Sequence, residues 1–268
     1  MSIRKRFPTA MVLLAVLFVL IQWAPLVVFF IFLQAVIIVS LIEFYNLARK
    51  KKLQPQPLIG ILMALLLSAS FFFKALPFGI ALFGGLLLAS LYFLIASNTI
   101  EKAMIFPASF AITVFGAIYI SFTLNHFYPL QAERGPYYLY FLLAVIFLGD
   151  SGAYLFGKLL GWHKMTPVAS PNKTWEGSLG GILFACLGAV AAQLLLLKEI
   201  GLGKAVICGV LVHAVAQVSD PLESLFKRAV GIKDSSNILP GHGGFLDRVD
   251  SLLLAVPFYY YFIHYFWK

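Results

Sequence analysis

The sequence is poor in charge. Asp, Glu, Lys and Arg make up only 12% of its 268 residues, whereas a water-soluble domain carries about 25%. Hydrophobic residues reach 61%, with a mean hydropathy of +0.92. A soluble fold of this length cannot hide that much apolar surface, so lipid must be the solvent for most of the chain. Cysteine is nearly absent. Cys186 and Cys208 both fall inside apolar runs, which excludes a disulfide framework and a cysteine-rich zinc site. No small-residue cleavage site follows Arg4-Lys5-Arg6, so the first apolar stretch is expected to remain as a transmembrane helix and not to serve as a signal peptide. No internal repeat is visible, which weighs against a transporter built from inverted halves.

What is present is a series of long apolar runs. Measured against the roughly 20 residues needed to cross a bilayer, they give about nine candidate spans. These lie near residues 8–23, 26–47, 57–73, 78–97, 103–125, 137–157, 177–197, 202–219 and 249–267, with Pro25, Pro77, Pro136 and Gly201-Leu202-Gly203 at boundaries. The expected fold class is therefore all-α, a polytopic integral membrane protein. Five helices would occupy residues 1–136, and a C-terminal catalytic region 137–268.

Net charge is +9. The basic residues sit in short loops between apolar runs and form no extended surface, so retention beside an anionic leaflet explains them and a nucleic-acid partner is not expected. Their distribution orients the chain. With the N-terminus inside, Arg4, Lys5, Arg6, Arg49, Lys50, Lys51, Lys52, Lys102, Lys158, Lys164, Lys173, Lys227, Arg228, Lys233 and Arg248 are cytoplasmic, leaving Lys74, Arg134, Lys198, Lys204 and Lys268 opposite. Fifteen against five of the 20 basic residues favours a cytoplasmic N-terminus. The two longest polar connections, 158–176 and 220–248, then share the cytoplasmic side.

Chemistry concentrates in those connections. The stretch 217–250 holds Asp220, Glu223, Asp234, Asp247 and Asp250, five of the eleven acids in the chain. On a helix, Asp220, Glu223, Ser224 and Lys227 share a face through three- and four-residue steps. Carboxylates converging without thiols suit a hard cation such as magnesium. Interleaved Lys227, Arg228, Lys233 and Arg248 suit phosphate oxygens. Acids for a metal beside bases for phosphate are the equipment of phosphoryl and nucleotidyl transfer. The run Pro240-Gly-His-Gly-Gly244 would let backbone N–H groups approach an anion, with His242 either donating to a phosphate or capping a turn.

Two further clusters stand out. Asp150 interrupts the apolar run FLGDSGAYLFGKLLG at 147–161, and an acid in a span is a functional candidate. In SPNKTWEGSLGG, residues 170–181, Ser170, Asn172, Lys173 and Thr174 precede a helix whose first turn holds Glu176. That arrangement suits either an anion at a helix N-terminus or ordinary capping. Trp175 reads as an interfacial anchor.

The run SLFKRAVGIKDSSNILPGHGGFLDRVD, Ser224 to Asp250, resembles the signature of phosphatidate cytidylyltransferases, also called CDP-diacylglycerol synthases. GDSGAYLFGK and SPNKTWEG are similar to further stretches of that family, and the resemblance covers roughly 145–250. One departure is Ser219, where the family pattern leads one to expect glycine. The resemblance implies that CTP and phosphatidic acid give CDP-diacylglycerol and pyrophosphate for phospholipid biosynthesis, with a divalent metal required. It implies Asp220, Asp247 and Asp250 as ligands of Mg2+, with a second cation as an additional expectation. Lys227, Arg228, Lys233 and Arg248 would hold phosphates, Ser224 and His242 would donate hydrogen bonds, and Asp234 would belong to the same catalytic group. Asp150, Lys173, Glu176, Gly243 and Gly244 would complete the substrate site.

The expected setting is the cell (inner or plasma) membrane, crossed several times, with the active site facing the cytoplasm and membrane lipids as partners. Glycine pairs at 84–85 and 180–181 would permit pairing into a homodimer. The alternatives are an ion or solute transporter, against which no polar track crosses the bilayer, and an enzyme acting on a different lipid phosphate.

Overall fold

The computed structural model describes residues 3–236, 238–239, 241 and 243–267, with side chains described from residue 11 onward. Each apolar run becomes a helix. In chain order they are α1 (Ile3–Gln22), α2 (Leu26–Lys50), α3 (Pro57–Phe72), α4 (Phe78–Ala96), α5 (Ile100–Gly116), α6 (Pro136–Leu160), α7 (Trp175–Leu196), α8 (Leu202–Ala229) and α9 (Leu246–Phe266). Among the described residues, six helical stretches are long and apolar enough to cross a membrane: Leu26–Lys50, Phe78–Ala96, Ile100–Arg134, Pro136–Leu160, Trp175–Leu196 and Leu202–Ala229. Met11–Gln22 and Pro57–Phe72 are apolar but shorter. Large apolar side chains point outward along these helices, with Leu94 at 77% and Leu195 at 76% exposure. Apolar surface on that scale belongs in hydrocarbon, so the protein is a membrane protein.

Three features depart from a simple set of helices. The stretch after α5 does not end at residue 125. It continues through π turns at Ala117–Phe122 and Leu130–Arg134, with short α-helical turns between them. The connection after α6 folds into an antiparallel hairpin, β1 (Lys164–Thr166) with β2 (Ser170–Thr174), pairing Lys164 with Thr174 and Thr166 with Ser170. The hairpin is a local addition to a fold that is otherwise helical, as expected. Lastly, α8 runs ten residues past the expected end of its span, from 219 to Ala229, so Asp220, Glu223, Ser224 and Lys227 ride on one continuous helix.

The chain divides into two compact units. The first comprises Met1–Tyr128 with Ala229–Val249, the second Pro129–Arg228 with Asp250–Lys268. The loop between α8 and α9 thus packs with the N-terminal helices, a long-range arrangement that a linear division at residue 136 does not express.

Within the first unit, Tyr45 is fully buried and its hydroxyl donates to the Thr113 carbonyl at 2.6 Å. Gly60 and Gly116 leave room for its ring. A buried polar group ties α2, α3 and the first π turn together. Asn125 accepts from Gln34 at 3.1 Å and donates to Ser68 Oγ at 2.8 Å and to the Ser121 carbonyl at 2.7 Å. Polar side chains that find partners in this way avoid the cost of an unpaired group in a low-dielectric interior.

Within the second unit, small residues set the helix spacing. A Cβ on Gly152 would meet Phe184 Cβ and Cγ at 2.5 Å, and Gly180 lies under Phe156 in the reciprocal contact. His213, completely buried, is wedged against Gly149 and Gly181. The glycine pairs read as free to pair with a second chain are in fact filled from within: Gly180 and Gly181 as above, Gly85 by Met63 and Gly84 by Leu66. Gly152→Ala should therefore lower stability by about 1–3 kcal/mol, the usual cost of overpacking. Gly201→Ala, where no atom lies within 4 Å, should change nothing. Thermal unfolding of both variants in detergent checks the contrast.

Candidate functional site

The polar residues singled out from the sequence fall into two groups, one in each unit. In the second unit the hairpin delivers Lys173. Thr174 caps α7 by accepting from Gly177 N at 3.1 Å, and Glu176 in the first turn reaches back to the start of the hairpin. Its carboxylate accepts from Trp162 N at 3.2 Å, from His163 N at 3.2 Å and from His163 Nδ1 at 2.5 Å. A carboxylate at a helix N-terminus also opposes the helix dipole favourably. Glu176, expected to complete the substrate site, is thus occupied in clasping the hairpin. Arg228 Nε donates to the Ala169 carbonyl at the hairpin turn, 3.3 Å away.

So held, Lys173 Nζ lies 2.9 Å from Asp220 Oδ2. Ser224 Oγ donates to Asp220 Oδ1 at 3.3 Å, one turn along α8. Asp150, on α6, is within electrostatic reach of Asp220 and Lys173. Asp250, on α9, feels Asp220, Glu223 and Lys227 in the same way. Glu223 and Lys227, four apart on α8, form a buried ion pair. Lys227, expected to hold a phosphate, therefore already balances a neighbouring acid. Ser219 is fully buried; its hydroxyl donates to the Asp250 carbonyl and accepts from Leu254 N at 3.2 Å. A glycine could make neither bond, so the departure from the family pattern fastens α9 beside the acids.

The first unit holds Ser235, Ser236, Gly243, Gly244 and Asp247. Asp247 is buried, and its Oδ2 accepts from Ser235 N at 2.9 Å and from Gly244 N at 2.8 Å, with Ser235 Oγ also at 2.9 Å. The N–H of Gly244, read as a donor for an incoming anion, is committed to this carboxylate. Gly243 adopts φ +81°, a left-handed conformation that favours glycine, and a Cβ there would meet Asp247 Oδ2 at 2.7 Å. Lys233, Asp234 and Arg248 are exposed around this loop. His242 lies outside the described residues.

Sequence reading missed Glu43, since it treated α2 only as an apolar span. Glu43 is 2% exposed and accepts from Ser235, Ser236, Phe245 and Leu246. An acid seven residues before the end of an apolar helix was a visible signal.

Among the described residues, no group of three or more His, Cys, Asp or Glu side chains is placed to hold a metal ion. Magnesium asks for less. It is ordinarily held by one or two carboxylates, with water and substrate phosphates completing the shell. Asp220 and Asp250, hard-oxygen groups within electrostatic reach of one another, fit that requirement, and Asp150 adds to the negative field.

Acids beside bases near the ends of apolar helices are the kind of side chains that chemistry on phosphorylated groups at a bilayer surface uses. The chain belongs to the cytidylyltransferase family, whose model matches residues 4–266. It is 37% identical over 260 residues to the phosphatidate cytidylyltransferase of Bacillus subtilis, covering 94% of each chain. It is 36% identical over 171 residues to the protein of that name from Staphylococcus epidermidis, covering 64% of this chain and 65% of that relative. The Staphylococcus aureus phosphatidate cytidylyltransferase matches at 36% over 173 residues.

If Glu176 clasps the hairpin, Glu176→Gln should accelerate amide hydrogen exchange at Trp162 and His163 several-fold while leaving the interior of α7 protected. Unchanged exchange there would remove the clasp.

Proposed function

We propose that the protein transfers the cytidylyl group of CTP to phosphatidate, forming CDP-diacylglycerol and pyrophosphate. One observation in particular supports this: Lys173, Asp220 and Ser224 meet in the second unit, with Asp150 and Asp250 within electrostatic reach, in a chain that the family model matches nearly end to end. A phosphatidate oxygen forms a bond to the α-phosphorus of CTP, and the bond from that phosphorus to the oxygen bridging to the β-phosphorus breaks. The electron pair leaves with pyrophosphate. Phosphatidate is already anionic at neutral pH, so no strong general base is required, and catalysis rests on positioning two anions and balancing their charge.

The residues divide that work. Asp220 and Asp250 would hold Mg2+, while Asp247 is engaged by Ser235 and Gly244 in the first unit. When bound, the cation would neutralise charge on the leaving group. In the second unit Lys173 and Arg228 would hold phosphate oxygens, and in the first unit the exposed Lys233 and Arg248 would do so. Lys227 works through Glu223, keeping that acid balanced. Asp150 orients Lys173, and Ser224 orients Asp220. CTP enters from the cytoplasm, and phosphatidate, whose acyl chains keep it in the bilayer, enters from the lipid. The bacterial relatives support a plasma-membrane location, and the fifteen-to-five distribution of basic residues supports a cytoplasmic N-terminus and active site.

Purified protein given labelled CTP, phosphatidic acid and magnesium should place label in the lipid fraction, and EDTA should abolish the transfer. Asp220→Asn and Asp250→Asn should each cost on the order of a hundred-fold in kcat/KM with melting temperature nearly unchanged. These are cleaner probes than Asp247→Asn, which also removes acceptors from the loop. No transfer from well-folded protein would overturn the assignment.

Orientation has its own test. In a background lacking Cys186 and Cys208, an impermeant thiol reagent applied to intact cells should label Lys74→Cys, and should label Lys51→Cys only after lysis. The reverse pattern would invert the topology.

A further inference from the structure

We propose that Glu43 is a positioning residue for the signature loop: it fixes the loop's two ends so that the exposed bases beside them, Lys233 and Arg248, are set to receive the phosphates of the nucleotide. This rests on the cytidylyltransferase reading for its substrate but not for its geometry. Glu43 Oε2 accepts from Leu246 N at 2.8 Å and lies 3.1 Å from Ser235 Oγ. Glu43 Oε1 accepts from Ser236 Oγ at 2.6 Å and from Phe245 N at 3.2 Å. The donors belong to the two ends of one segment, 235–236 and 245–246, so a single carboxylate from α2 closes the loop between them.

The chemistry of the contact argues against a casual role. Glu43 is 2% exposed and lies in an apolar helix. Among the described residues no lysine, arginine or histidine pairs with it. A buried carboxyl group without a cation needs hydrogen-bond donors for its oxygens, and a loop fixed at both ends supplies them. In return, the free N–H groups at the start of α9 find acceptors, as they must when a helix begins in a buried place. Asp247 completes the arrangement from inside the loop. Ser235 Oγ stands between the two acids, and its one proton serves one of them at a time.

Space confirms how tightly the parts are fitted. A Cβ on Gly244 would run into Ser235 Oγ and come within 2.5 and 2.6 Å of the Glu43 carboxylate oxygens. Glycine at 244 is thus needed for the close approach of the acid, and not to leave a cradle open for an anion. The loop's backbone donors at 244, 245 and 246 are engaged by Asp247 and Glu43. Among the described residues, the exposed side chains at the ends of this loop include two bases suited to phosphate, Lys233 before the clasp and Arg248 after it. Glu43 acts through them without touching substrate.

The test compares wild type, Glu43→Gln and Ser236→Ala in detergent. The carboxamide keeps the shape but offers one acceptor oxygen where the carboxylate has two, so some loop donors lose their partner. Glu43→Gln should speed amide exchange at Phe245 and Leu246 and lower kcat/KM for CTP by about ten-fold or more, chiefly through KM, with the KM for phosphatidate within about two-fold of wild type. Ser236→Ala removes one of the four donors to Glu43, along with an acceptor for Ile238 N, and should show the same pattern at about two- to five-fold, which keeps the proposal testable should Glu43→Gln fold poorly. Wild-type kinetics and unchanged exchange in either folded variant would overturn it, as would an equal loss towards both substrates. If the wild type itself transfers no label, the cytidylyltransferase reading fails, while the exchange data still decide whether Glu43 holds the loop.

Discussion

A carboxylate carried into an apolar helix bundle must find donors or cations, because hydrocarbon offers it neither and water is scarce. Much of the polar organisation of this protein follows from that constraint. Glu43 is balanced by two serine hydroxyls and two backbone N–H groups, Glu223 by Lys227, Asp220 by Lys173 and Ser224. Asp150 and Asp250 stand within electrostatic reach of the same charges. The fully compensated acids build structure.

Each compensation also orders a segment that would otherwise be a loop. The hairpin at 164–174 has few apolar residues to bury, and its place is set by Glu176 at its base, Arg228 at its turn and Lys173 at the acids. The signature loop is closed by Glu43 and Asp247. Hydrogen bonds of this kind are worth more where water cannot compete, which is why polar loops at a membrane surface can be as well defined as the helices they join. Phosphoryl chemistry that depends on positioning needs that definition, since small misplacements of a charged group carry large penalties in rate.

Residue type and spacing singled out polar residues some of which the structure brings together, such as Lys173, Asp220 and Ser224. Asp220, Ser224 and Lys227 at helical steps were expected on one face, and α8 does run unbroken through them. The acid in α6 stood out because an apolar run tolerates acids poorly, and the same reasoning applied to α2 would have found Glu43. Spacing could not say which of the basic residues were already occupied. Lys227 is held by an acid four residues away on its own helix, while Lys233 and Arg248 are exposed. Nor could it show that Glu176 works on the backbone of the hairpin before it.

Composition alone determined that the protein lives in lipid, because transfer free energy is a sum over residues and needs no knowledge of contacts. Apolar runs and breakers determined where most helices begin and end to within about five residues, since both act locally along the chain, but not the ten further residues of α8 or the continuation of the 103–125 run to Arg134. The partners of the acids were decided only by the tertiary structure. Glu43 meets Leu246 across 203 positions of sequence, and Asp220 meets a lysine from a hairpin that no local signal required. Pairings of that range are chosen by how the helices pack, through small residues such as Gly152 and Gly180 that admit a neighbour's ring, and packing is a property of the whole fold.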